Sequence, residues 1–121
     1  MKVLIACEFS GIVRDAFAAK GHDAWSCDLL PTERPGNHIQ GDVLEVINDG
    51  WDLMVAHPPC TYLTVTANRW LADQPARISG NLVGAERRAA REESIKFFLA
   101  LWEAPIEMVA IENPIGCMSS V

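Results

Sequence analysis

The chain has no Cys-x-x-Cys pair, no internal repeat and no low-complexity segment. Its four cysteines, Cys7, Cys27, Cys60 and Cys117, follow no regular spacing. Neither a metal centre nor a disulfide framework is expected, and a reducing, cytoplasmic setting fits best. No apolar run approaches the ~20 residues that a membrane-spanning helix needs. A charged-then-apolar leader is also missing from the N-terminus. Positive charge is scarce: 10 Lys and Arg stand against 16 Asp and Glu, for a net charge of −6. That balance argues against a protein that coats nucleic acid along its whole surface.

What is present is a chain of 121 residues, half of them hydrophobic. This is one domain, residues 1–121, long enough for a core but small for an enzyme with a two-substrate cleft. The charge is uneven. From Thr61 to Arg91, five arginines (Arg69, Arg77, Arg87, Arg88, Arg91) oppose only Asp73 and Glu86, a local +3 that leaves −9 elsewhere. Such a stretch suits one local polyanion contact; the alternative is a solvated helix face.

The apolar pattern alternates strands and helices. Lys2 to Cys7 is a buried strand, followed by a turn at Glu8-Phe9-Ser10-Gly11. Ser10 is placed to cap a helix from Gly11 to about Lys20, and Gly21 to end it. Asp23 to Cys27 is a second strand closing on Asp28, and His38 to Gln40 a third, ending at Gly41-Asp42. Val43 to Asn48 reads as a short helix, and Asp52 to Ala56 as a strand running into His57-Pro58-Pro59-Cys60. Thr61 to Leu82 is a long loop with a helical turn near Trp70. Gly84 to Glu103 is the strongest helix, with Arg and Glu outside and Ile95, Phe98, Leu99 and Trp102 inside. Glu107 to Ile111 is the fifth strand, running into Glu112-Asn113-Pro114. The order predicts an α/β fold: a mostly parallel sheet of about five strands with helices on both faces.

All five strands end in polar or small residues, and the carboxyl ends of such a sheet are where ligands bind. A glycine turn opening a helix lets backbone N–H groups approach a ligand. Asp28 is placed to hold ribose hydroxyls, and Asp42 to accept from an adenine amino group; a turn and a helix cap are the alternatives. Phe9 alone reads as core. Cys60 follows two stiffening prolines, and it is either a reactive thiol or a small buried hydrophobe. Glu112 follows Val109-Ala110-Ile111, where a carboxylate is partly desolvated unless it reaches solvent. A thiol nucleophile working with a carboxylic acid can attack and protonate an electron-poor ring.

Phe9-Ser10-Gly11, Gly41-Asp42-Val43, Pro58-Pro59-Cys60 and Glu112-Asn113-Pro114 occur in the order used by cytosine-5 DNA methyltransferases. The chain most resembles the short phage and prophage type, essentially along its whole length; Pro-Pro-Cys and Glu-Asn-Pro are the specific parts. The resemblance implies the Rossmann-like sheet of the S-adenosylmethionine-dependent methyltransferases. It implies that Phe9, Ser10, Gly11, Asp28, Asp42 and Pro58 hold that cofactor. Cys60 is then the thiolate that adds to carbon 6 of cytosine, and Glu112 shares a proton with ring nitrogen 3. Pro59, Asn113 and the arginines Arg69, Arg87, Arg88 and Arg91 fall to the DNA side, where the target base is flipped out to reach the thiol.

Three features depart from the family pattern. Val13, with Arg14 beside it, stands where a second glycine is usual. His57 replaces the glycine common before Pro-Pro-Cys and reads as a packed side chain or an acid-base group. The chain stops at Val121, short of the later strands and of any target-recognition region. An incomplete sheet leaves an exposed edge, so a homo-oligomer and weak DNA binding are expected. A catalytically silent cofactor-binding or interaction module of the same fold is the second hypothesis. An amino-methyltransferase is disfavoured, because those enzymes carry Pro-Pro-aromatic where this chain has Pro-Pro-Cys.

Overall fold

The structure is a computed structural model that describes residues 1–63, 65–112 and 118, with only the backbone described at 65–67. The chain divides into two compact units. Met1–Pro58 with Ala100–Glu112 forms one, and Pro59–Leu99 belongs to the other.

The first unit contains a five-stranded, all-parallel sheet. Its strands are β1 (Lys2–Ala6), β2 (Asp23–Asp28), β3 (His38–Gln40), β4 (Leu53–Ala56) and β5 (Met108–Ile111). Their order is β3-β2-β1-β4-β5, compatible with an open, doubly wound α/β sheet. Strand succession reverses direction between β1 and β4, and such a switch point opens a crevice at the carboxyl ends.

β1 lies at the centre because it can be buried on both faces. Val3, Leu4, Ile5 and Ala6 are all fully buried, which is why the sequence there is a continuous apolar run. Val3, Ile5 and Ala24 pack against Val13 and Phe17 of helix α1 (Ile12–Ala19) and against Leu53 and Val55. Full burial of a side chain such as Val3, Leu4 or Ile5 contributes about 1.5–3 kcal/mol. The edge strands contribute less, since β3 and β5 contain no fully buried residue.

α1 ends as the glycine predicts. The Gly21 N–H donates to the Ala18 carbonyl and the His22 N–H to the Phe17 carbonyl, with Gly21 at φ 88°. The Phe17 and His22 rings complete the cap at 6.0 Å. Its start differs from expectation. The N-cap is Gly11, at φ 80°, with no side-chain cap of its own, and Ser10 Oγ accepts only from the Ile12 N–H at 3.3 Å.

The segment Val43 to Asn48 forms only a short 3-10 helix, Val43–Glu45. In the second unit, a 3-10 helix at Val65–Leu71 supplies the turn expected near Trp70. Helix α2 (Gly84–Trp102) begins in this unit and reaches Trp102 in the first. Its inner positions are Phe98 and Leu101, whereas Trp102 is 61 % exposed. Among the described residues, no helix is long and apolar enough to cross a membrane.

Candidate functional site at the strand ends

The ladders place five strand ends on one edge. The Gly41 N–H donates to the Asp28 carbonyl, Glu8 to Cys27, His57 to Ala6, and Glu112 to Ala56, at 2.8–3.2 Å. Cys7, His57 and Glu112 are thus neighbours in the row just beyond β1, β4 and β5.

The N-terminus of α1 is already filled. Glu8 is only 6 % exposed, and its carboxylate accepts from the Val13 N–H at 3.1 Å and the Arg14 N–H at 3.2 Å. The charge that a helix N-terminus attracts is supplied by the chain itself. The glycine turn is therefore no open cradle for an anion.

Arg14, beside Val13 in the first turn of α1, is 1 % exposed. Its guanidinium donates to Ser26 Oγ, Thr32 Oγ1, the Arg34 and Pro35 carbonyls, and Asp15 Oδ1, all within 3.0–3.3 Å. It ties the loop after β2 to α1. Ser26 Oγ lies 2.7 Å from His38 Nδ1, and His38 Nε2 lies 3.0 Å from the Leu30 carbonyl. A carbonyl only accepts, so Nε2 donates to it, and in the neutral ring Nδ1 accepts from Ser26.

Asp28 is half-buried, and its Oδ1 accepts from the Leu30 N–H at 2.9 Å. Oδ2 has no hydrogen-bond partner among the described residues. Asp42 is exposed and caps the short 3-10 helix, its Oδ1 accepting from the Leu44 N–H at 3.0 Å. Both turn and cap alternatives are thus realised, each through one oxygen. Phe9 is 38 % exposed and not core, and it shares this edge with the exposed Leu29, Leu30 and Leu44.

Sequence reasoning missed Cys7. It is the one non-glycine residue with positive φ, 61°, among the described residues, and it sits at the switch point. Its thiol is pushed up to about 12 by burial first, then by Asp28, Cys27 and Asp42. Cys27 is pushed up to about 11 by burial, then by Asp28, Asp42 and Glu45. The carboxylates from β2 and β3 therefore act on one place, and the field there is negative. Neither thiol is a thiolate at neutral pH.

Glu112 is exposed, so its carboxylate reaches solvent. Cys60 belongs to the second unit and is exposed, unlike a core cysteine. Pro58 is buried and Pro59 exposed. Asn113, Pro114 and Cys117 lie outside the described residues.

The arginines of the second unit are largely engaged by their own chain. Arg87 is 4 % exposed and donates to the Leu82 and Thr61 carbonyls at 3.0 and 3.1 Å, stacking over Tyr62. It braces the loop; the sequence pattern places every α2 arginine outside, and this one turns in. Arg88 donates to the Leu71 carbonyl and pairs with Asp73 at 3.1 Å. Arg69 and Arg77 both lie over one ring, Trp70, at 4.6 and 3.8 Å from its centroid. Arg91 lines an open groove of about 420 Å³ with Leu71, Arg88, Ala89, Glu92 and Ile95.

The chain matches no protein-family model, no curated protein and no solved structure.

Proposed function

We propose that this chain is a cytosine-5 DNA methyltransferase-like domain whose Rossmann-like sheet edge takes S-adenosylmethionine. The observation that carries the cofactor choice is electrostatic. Glu8 closes the α1 N-terminus, where a phosphate would otherwise bind, and Asp28 and Asp42 make the neighbouring edge negative. That arrangement disfavours a phosphate-bearing dinucleotide and favours a nucleoside with positive charge, such as a sulfonium. The free Oδ2 of Asp28 suits a ribose hydroxyl, and Phe9, Leu29 and Leu30 offer apolar surface to a flat base. When bound, this cofactor supplies an electrophilic methyl group.

In this reading Cys60, an exposed thiol, adds as thiolate to carbon 6 of cytosine, while Glu112 holds ring nitrogen 3 and shares its proton. Carbon 5 thereby gains electron density and accepts the methyl group. A base then removes the proton from carbon 5, the carbon 6–sulfur bond breaks, and the thiolate leaves with its electron pair. Covalent trapping on DNA that contains 5-fluorocytosine tests this: a Cys60-dependent adduct is expected, and an equal adduct with Cys60→Ser overturns the nucleophile.

The engaged arginines support a second reading, a catalytically silent cofactor-binding module. With Arg87 buried and Arg88 paired with Asp73, two of the five arginines of the stretch are already engaged. Calorimetry with S-adenosylmethionine followed by a methyl-transfer assay separates the two, since the silent module binds and transfers nothing.

A further inference from the structure

Among the described residues, two buried side-chain nitrogens lack a hydrogen-bond partner: Arg87 Nε and His57 Nε2. Arg87 is held through both of its terminal nitrogens, so little is left unmet there. His57 has no such compensation at Nε2. Its backbone N–H donates to the Ala6 carbonyl at 3.0 Å, which seats it at the first position beyond β4. It stands between Cys7 and Glu112 in the row at the β1/β4 switch point, where open α/β sheets hold ligands.

A buried polar atom without a partner weakens the folded state, so its presence calls for a reason. Packing alone supplies none, because a leucine or phenylalanine fills similar space without the unmet nitrogen. The helix N-terminus, the other natural donor on this edge, is occupied by Glu8. We infer that His57 Nε2 hydrogen-bonds a heteroatom of the nucleoside bound at this edge, and is unpaired only while that nucleoside is absent. The inference rests on the nucleoside reading above and adds to it the contact that orients the ligand. The methyl donor and the target cytidine both carry such heteroatoms, and the experiment distinguishes them.

The full chain, His57→Leu and His57→Gln are compared by thermal melting without ligand. They are then compared by calorimetry with S-adenosylmethionine, S-adenosylhomocysteine and cytidine. Without ligand, His57→Leu is expected to melt about 3–6 °C higher than the parent, because an unmet polar atom is removed. Its affinity is expected to fall roughly tenfold, the worth of one hydrogen bond. A loss confined to the two adenosyl compounds assigns the contact to the methyl donor; a loss confined to cytidine assigns it to the target base. His57→Gln, which keeps an N–H near the same place, is expected to bind within about threefold of the parent. A lower melting point for ligand-free His57→Leu overturns the inference, since Nε2 then has a partner inside the protein. Equal binding by parent and His57→Leu also overturns it while leaving the nucleoside reading intact. A parent that binds none of the three probes removes the nucleoside reading, and the inference with it.

Discussion

Left-handed backbone at a residue other than glycine costs about 1–2 kcal/mol, and Cys7 bears that cost at φ 61°. Cys7→Gly is therefore expected to raise stability by about 1 kcal/mol and Cys7→Val to lower it by about 2 kcal/mol, read from urea midpoints. The thiols also order themselves by reactivity. At pH 8, iodoacetamide with peptide mapping should label exposed Cys60 well before Cys7 and Cys27, whose thiols are pushed up to about 12 and about 11. The same shifts link stability to pH. Both thiols hold their protons more tightly folded than unfolded, so their contribution is complete below the ordinary value of 9.0. It is lost as pH rises from there through about 11 and 12. Urea midpoints measured from pH 8 to 11 should fall, and should fall less steeply in Cys27→Ala.

At the scale of elements, α1 depends on a carboxylate that reaches forward from outside the helix. Glu8→Ala should cost about 1–2 kcal/mol, because two helix amides lose their acceptor, and circular dichroism during urea unfolding will show it. This cap also shows where sequence reasoning runs out. β1 and β4 were legible because burial writes itself as apolar runs, complete at Val3-Leu4-Ile5 and partial at Leu53-Met54-Val55. The strand-end acids were legible because turns and caps favour Asp at those positions. Ser10 was the expected cap by local chemistry, yet the helix amides five and six positions beyond Glu8 take its carboxylate instead. The two inward arginines were hidden for a related reason. A charged residue reads as surface unless its acceptors are known, and those of Arg14 and Arg87 include backbone carbonyls of loops distant in sequence. Trp102 shares helical spacing with Phe98, but Leu101 takes the inner position.

For the molecule as a whole, the strand order leaves β5 with one neighbour among the described residues, and Met108 on that strand is exposed. Unpaired N–H and C=O groups beside exposed apolar side chains invite a second strand. Light scattering across a concentration series is expected to give a mass above that of the 13.3 kDa monomer. A constant monomer mass counts against this edge as an association surface. Net charge of −6 makes any DNA contact local, so binding should be weak, with the shallow salt dependence of a contact that neutralises few phosphates.

The buried guanidinium of Arg14 also has an evolutionary consequence. A β-carbon added to Gly11 would lie 2.6 Å from its Nη2, and one added to Gly36 would lie 2.7 Å from its Cζ. Positions 11, 14 and 36 thus form one unit of substitution. While arginine stands at 14, neither glycine has room to vary; a smaller residue there removes this clash at both, although each also holds a positive φ, 80° and 157°. A double-mutant cycle should register this as Gly36→Ala costing less in the Arg14→Ala background than alone, by about 1 kcal/mol. Related sequences, when set side by side, should vary at 14 and 36 together.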